Sequence, residues 1–298
     1  MCARPNLLRS YRSQSTIGSP VSAQGFGFWS GRDVRVEFQP AAADTGIVFV
    51  RQDLGLDASI PAIVECRTES PRRTSLSKNG ATVEMVEHIM AALSAMRIDN
   101  CQVLVDAPEM PGFDGSSRVW ISTLQAAERI ELDAPRDLLV VTDRVRVGTD
   151  EAWVEAAPSR HTGMSARVHI DYGMESPIGR QTYELHITRK TFCEQLADAR
   201  TFILQDEADW LVSQGWCQRV TPSDVLVFAD LGLIDNELRF SDECVRHKML
   251  DLVGDLALAG CDVSGHFVAY RSGHRLNAAL VRTLLSEFSV IHQSRRSA

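Results

Sequence analysis

Two pairs of residues in this sequence have the types and spacing to do chemistry. His247 and Asp251 stand at i and i+4 in "ECVRHKMLDLVGDLALAG", whose apolar periodicity predicts a buried helix. That spacing stacks the two side chains on one helical face, and imidazole and carboxylate are both good zinc ligands. The plainer alternative is a hydrogen-bonded His–Asp pair within a helix. Glu87 and His88 lie in "TVEMVEHIMAALSAM", which is apolar nearly all round and predicts a second buried helix. A buried carboxylate beside an imidazole is costly unless both are paired or bound to something. The alternative there is a pair at the helix edge, in touch with water. Together the pairs say more, because catalytic zinc takes three protein ligands and leaves one position open. His88, His247 and Asp251 would make a His-His-Asp set and leave Glu87 free as a general base.

His274, in "YRSGHRLN", follows Ser272 and Gly273 at the end of a strand, where a loop residue can project into a cleft. A lone loop histidine is usually just exposed. Asp255, however, lies four residues beyond Asp251 on the same helical face, where it could orient an imidazole and raise its pKa, suiting it to act as an acid. Arg246 and Lys248 flank His247, and Arg271 and Arg275 flank His274. That local positive charge would answer an anionic, phosphate-bearing substrate. His161, His169, His186, His266 and His292 show no partner pattern and read as structural or surface residues.

The elements that must position these groups follow from the patterning. "DVRVEFQP" alternates with Val34, Val36 and Phe38 on one face, and "TGIVFVRQDL" follows a turn around Asp44. An Asn79-Gly80 turn leads to the first buried helix, with Thr82 as its N-cap and Glu84 in its first turn. "CQVLVDAP" reads as a strand. Ala134 and Pro135 mark a linker, so the chain divides into a flexible tail over 1–12, an α+β domain over 13–131 and a second over 132–298. The second holds strands in "DRVRVG", "EAWVEAA", "ARVHIDY" and "TYELHIT", a helix around Asp206 to Val212, the His247 helix, a strand in "HFVAYRSGH", and a terminal helix from Asn277 to about His292. "EHIMAALSAMRIDNCQVLV" and "RHKMLDLVGDLALAGCDVSGHFVAY" echo one another weakly: an apolar helix with a polar cluster near its start, an Asp-containing loop, an apolar strand. Two such units packed face to face would bring their polar ends together.

The 298 residues suffice for two modest cores, and 44% apolar with 23% charged residues is ordinary for a globular protein. A net charge of -8 with no basic stripe argues against nucleic-acid binding and against a polybasic membrane anchor. The seven cysteines are odd in number, scattered and without a C-x-x-C pair, which argues against a disulfide framework or thiolate metal site and for a reducing cytosol. No signal peptide and no apolar run of the roughly 18 residues a membrane span needs can be found. The expectation is a soluble, monomeric, cytoplasmic protein.

Seven segments, "GFGFWSGRDVRVEFQPAAADTGIVFVRQDL", "VEHIMAALSAMRIDN", "PEMPGFDGSS", "SPIGRQTY", "ARTF", "RHKMLDLVGDL" and "AYRSGHRLN", give the chain a resemblance to a known family. They occur in the order and approximate spacing of the UDP-3-O-acyl-N-acetylglucosamine deacetylases, the zinc enzymes of the committed step of lipid A synthesis. The resemblance runs from about Ser13 to His292. It implies an α+β fold of two β-α-α-β sandwich domains, each a sheet with helices packed against it, and an active site between them. It also implies zinc held by His88, His247 and Asp251, and Glu87 as the base that activates water. Thr201 would stabilise the oxyanion, His274 oriented by Asp255 would protonate the departing amine, Lys248 would contact the sugar nucleotide, and Phe202 would line the site. An apolar passage for the acyl chain is implied near "DYGMESPIGRQTYELHI". The chain departs from the family at Trp29, where a histidine is usual, at Ile203 and Leu204 after "ARTF", at "QRVTPSD" in place of a Gly-Gly-Ser segment, and at Gly112 and Phe113. Trp29 and "QRVTPSD" motivate one rival, a zinc amidase for another N-acetylated, perhaps nucleotide-linked, sugar; a second rival is a non-catalytic, zinc-stabilised sugar-nucleotide-binding module, which nothing in the catalytic residues supports.

Overall fold

The computed structural model describes residues 12–288 apart from 56, together with 290 and 291. The expected tail, but for Arg12, and Cys2 and His292 lie outside the described residues. The fold is α+β, as expected: sheets carry helices packed on them. Its six α-helices among the described residues are α1 (Glu87–Ala95), α2 (Arg118–Ala126), α3 (Arg189–Gln195), α4 (Gln205–Ser213), α5 (Glu243–Leu256) and α6 (His274–Glu287).

One sheet has five strands in the order Val21–Phe26, Asp33–Pro40, Cys101–Val105, Ile47–Arg51 and Ser59–Pro61. In Asp33–Pro40 the alternation places Val34, Val36 and Phe38 in the core. The larger sheet has seven strands and is built around Asp262–Tyr270, which pairs with Trp153–Ala157, Leu138–Val140 and Met164–Asp171. The residues around the expected break at Ala134 and Pro135 form a strand, Arg129–Pro135, paired with Ser13–Ile17. Helix α2 packs on the first sheet, α5 and α6 on the second, and α1 against both α2 and α5.

The start of the first helix differs from expectation. Asn79 and Gly80 both adopt positive φ, 51° and 83°, which makes a two-residue hairpin turn. That turn folds Ala81–Glu84 back onto Ser75–Lys78, with Leu76 opposite Val83 and Ser77 opposite Thr82. Thr82 is therefore a strand residue and Glu84 is not in a helical turn. Met85, at φ 58°, ends the strand, and α1 begins at Glu87 with no side-chain cap. Glu87 and His88 thus occupy a buried first helical turn, where a carboxylate also meets the positive end of the dipole. The last helix shifts too: α6 begins at His274, three residues before Asn277, and ends at Glu287.

Candidate metal centre

Helix α1 approaches α5 unusually closely, and Gly254 is why. A Cβ built on Gly254 would lie 2.1 Å from the backbone oxygen of Glu87, so only glycine admits the first turn of α1 at that height on α5. The approach sets Glu87 and His88 opposite the face of α5 that carries His247, Asp251 and Asp255, all buried.

His88, His247 and Asp251 come together as the sequence led us to expect. Their candidate ligand atoms lie within 4.8 Å of one another. Asp251 Oδ1 is 3.3 Å from His247 Nε2 and 3.6 Å from His88 Nε2, and the two imidazole rings meet edge to face at 4.9 Å. His247 Nδ1 donates to the carbonyl of Ala199 at 3.0 Å, which leaves Nε2 as a lone pair facing the cluster. Burial drives the pKa of His247 down to about 3, with His88 and Lys248 adding to it against Asp251, so the ring is neutral. Burial alone would raise Asp251, but its positive surroundings, Lys248 at 2.9 Å among them, outweigh it and hold the carboxyl well below its usual range. Its Oδ2 accepts from Lys248 Nζ at 2.9 Å, while its Oδ1 is buried with no hydrogen-bond partner.

An ionised oxygen left unmatched in the interior is costly. The Nε2 of His247 beside it offers a lone pair, not a proton, and the Nε2 of His88 stands 3.6 Å away. A divalent cation is the group that suits two nitrogens and one carboxylate oxygen together, so this donor set fits a metal. It is the one His/Cys/Asp/Glu cluster among the described residues that does.

Glu87 and His274 complete the site. Glu87 Oε2 accepts from the backbone N–H of Thr74 at 3.0 Å, and its Oε1 lies 3.8 Å from His274 Nε2. Burial raises the Glu87 pKa, with His274 and His88 pulling against it. His274 Nδ1 meets Asp255 Oδ2 at 2.9 Å, the partnership the helical spacing suggested. Asp255 is itself held by Asn277 Nδ2 at 2.8 Å and by Thr74 Oγ1 at 2.6 Å. Burial works against a charged His274, but Asp255 and Glu87 outweigh it and raise the pKa to about 9. Sequence reasoning passed over Thr74 and Asn277 as partners, because His274 read as a loop residue and Asn277 only as the start of the terminal helix.

Thr201, Phe202 and Lys248 line one cavity of about 180 Å³ with Glu87, His88, His247, Asp251 and His274. Phe202 sets its ring 6.4 Å from that of His247 and 5.6 Å from Lys248 Nζ. The rest of the wall is largely apolar, with Phe28, Leu211, Val220 and Val227 among its residues. Trp29 also lines it, its ring under the guanidinium of Arg73 at 4.1 Å and against Trp216 at 6.4 Å. Of the flanking cations, Arg246 turns away to Asp242 and Tyr183, while Lys248 also lines a second cavity with Arg180 and Arg271. His161 and His186 are paired with each other, His169 with Thr182 and His266 with Ser165, all away from the centre. Among the described residues the cysteines are free, and no helix is long and apolar enough to cross a membrane.

Comparison with known proteins adds a second line. The sequence model of the family described as UDP-3-O-acyl N-acetylglycosamine deacetylase matches residues 14–286. Proteins named UDP-3-O-acyl-N-acetylglucosamine deacetylase are similar over 92% of this chain: one from Brucella melitensis, 39% identical over 96% of its own length, one from Thermosynechococcus vestitus, 37% identical over 95%, and one from Myxococcus xanthus, 36% identical over 87%.

Proposed function

The chain belongs to the UDP-3-O-acyl N-acetylglycosamine deacetylase family, and from that membership we propose that it hydrolyses the N-acetyl group of UDP-3-O-acyl-N-acetylglucosamine, releasing acetate, with zinc held by His88, His247 and Asp251. The observation that carries the reading is the buried, partnerless Asp251 Oδ1 between two imidazole nitrogens, in one cavity with Glu87 and His274. When bound, zinc supplies Lewis acidity, which polarises a carbonyl and brings the pKa of water down toward about 7.

The chain's own residues move the protons. Glu87, anchored through Oε2 by Thr74, keeps Oε1 as the base that takes a proton from the attacking water. The hydroxyl of Thr201 donates to the oxygen that gains charge as the amide carbon becomes tetrahedral. His274, held as a cation by Asp255, gives its proton to the departing amine, and acetate and the free glucosamine amine result. Lys248, at the junction with the cavity lined by Arg180 and Arg271, suits the anionic nucleotide portion, while Phe202 lines the site, its ring 5.7 Å from that of Tyr172 in the segment where the acyl passage was expected. This is the lipid A step that the sequence resemblance implied, and the free cysteines fit a cytosolic setting.

Acetate release from UDP-3-O-acyl-N-acetylglucosamine by the purified protein, with and without a zinc chelator, tests the reading. Chelator-sensitive release is expected. Zinc bound at one per chain with no acetate released would leave the metal centre standing and remove the substrate. In that event the second reading, an amidase for another N-acetylated sugar, takes over; Trp29 in the cavity wall favours it.

A further inference from the structure

Behind the metal cluster lies an ion pair whose side chains stand outside the cavity. Arg200 and Glu243 are 2.8 Å apart, with side chains only 6% and 0% exposed, and neither lines the cavity. Glu243 opens α5, four residues before His247. Its Oε1 accepts from the backbone N–H of Arg200 at 3.0 Å and from Arg200 Nε at 2.8 Å. Its Oε2 accepts from Arg200 Nη2 at 3.1 Å and from the backbone N–H of Arg239 at 2.7 Å. The remaining reach of the guanidinium goes to Asn236 Oδ1 at 2.8 Å and to the carbonyl of Glu237 at 2.6 Å. Four of the five guanidinium N–H groups of Arg200 and both oxygens of Glu243 are thereby used.

The neighbours of Arg200 in the chain give this pairing its meaning. Ala199 supplies the carbonyl that takes the Nδ1 proton of His247, and Thr201 faces the cavity. A turn of the peptide between residues 199 and 200 would remove that acceptor. The imidazole could then carry its proton on Nε2, where it blocks metal binding. Buried ion pairs are a poor source of stability, since desolvation consumes most of the attraction. Fixing one peptide orientation is something that such a pair does well.

Resting on the reading of His88, His247 and Asp251 as metal ligands, we propose that the Arg200–Glu243 pair positions the metal centre: it fixes the Ala199 carbonyl so that His247 presents a bare Nε2, and it aims Thr201 at the cavity. Both are positioning residues, acting through His247 and Thr201.

The test uses two full-length variants, the double apolar swap Arg200→Met with Glu243→Leu, and the isosteric Glu243→Gln. Three quantities are read: the Tm of the metal-free protein, zinc affinity by competition with a chromophoric chelator, and the His247 tautomer from imidazole nitrogen NMR. The double swap is expected to keep the metal-free Tm close to that of the parent while zinc affinity falls about 10–100-fold and the Nε2–H tautomer appears. Glu243→Gln keeps an acceptor for the Arg200 backbone but leaves the buried guanidinium without a counter-charge, so it is expected to lower the metal-free Tm while changing zinc affinity and tautomer less than the double swap does. Should the double swap fail to fold, Glu243→Gln alone decides. Parental zinc affinity and tautomer in a folded variant would overturn the proposal. So would a metal-free Tm that falls in step with affinity in both variants, which would make the pair merely structural. None of these readouts uses the substrate, so a failed acetate assay leaves the proposal intact, whereas a parent protein that binds no zinc removes the metal centre itself.

Discussion

The two ends of α1 each meet the second half of the chain through buried charge, and they do so in opposite ways. Beyond its C-terminal end, Asp99 accepts from Arg12 at both oxygens, 2.7 Å each, from the backbone N–H of Ser15 at 2.9 Å, and pairs with Arg136 at 3.1 Å. Asp262, at the start of its strand, takes Arg12 at 2.6 Å on both of its oxygens. At the N-terminal end the carboxylate of Asp251 has one oxygen with no partner, and histidines stand where arginines stand at the other end. The groove at the saturated end is the larger of the two cavities, about 560 Å³ against about 180 Å³. Volume does not separate the two ends, because the cavity that Lys248 shares with Arg180 and Arg271 at the open end is about 640 Å³. What distinguishes a fastening from a site is whether its buried polar atoms are already matched.

The sharpest way to break this contrast is to remove the unmatched oxygen. Asp251→Ala is expected to abolish zinc binding, measured by metal content after gel filtration, and with it acetate release. Retention of one zinc per chain would mean that the partnerless oxygen is not a ligand. The next largest effect separates proton transfer from metal binding. Glu87→Ala and His274→Ala should each lower kcat about 10²–10⁴-fold, the usual contribution of a general base or acid, with zinc content unchanged. Full turnover in either variant would remove the role assigned to that residue.

The site was legible in the sequence to the extent that it obeys helical geometry. His247, Asp251 and Asp255 follow a four-residue spacing on one helix, and the structure sets all three on the face that meets α1. Glu87 and His88 were legible as a polar pair in an apolar segment, although the helix was expected to begin four residues too early. There the Asn79-Gly80 hairpin outranked an apolar run that served equally well as strand and helix. The partners that tune these groups were not legible. Thr74 N–H on Glu87, the Ala199 carbonyl on His247 and the Ser117 hydroxyl on the His88 carbonyl are contacts between distant segments, and most of them use backbone atoms that carry no sequence signature. The start of α6 was equally silent: Gly273 caps it without a side-chain bond, so nothing announced that His274 begins a helix.

At the fastened end the expected effect is on folding alone. Asp99→Ala leaves Arg12 and Arg136 short of a buried counter-charge, a change that costs roughly 3 kcal/mol, the lower part of the range for such deletions because Asp262 remains. Urea unfolding should register that loss, while kcat and zinc content per folded molecule stay as in the parent. A lowered kcat with intact zinc would show that the two ends of α1 are coupled.

The smallest effect is a pH dependence that only the open end should show. In the metal-free protein His274 has a pKa of about 9, above the value of about 6.5 for an unfolded histidine. The folded state therefore binds the proton more tightly, and the stabilisation is complete below about pH 6.5 and lost as pH rises through about 9. The fastened end offers no such change, because Asp99 and Asp262 hold the Arg12 guanidinium charged, its pKa pushed further up despite burial. Thermal unfolding of the metal-free protein between pH 6.5 and 9 should accordingly show Tm falling in the parent, falling less in His274→Gln, and falling as in the parent in Asp99→Ala. A parental slope in His274→Gln would place the titrating group elsewhere, and with it the charge assigned to the acid that protonates the departing amine.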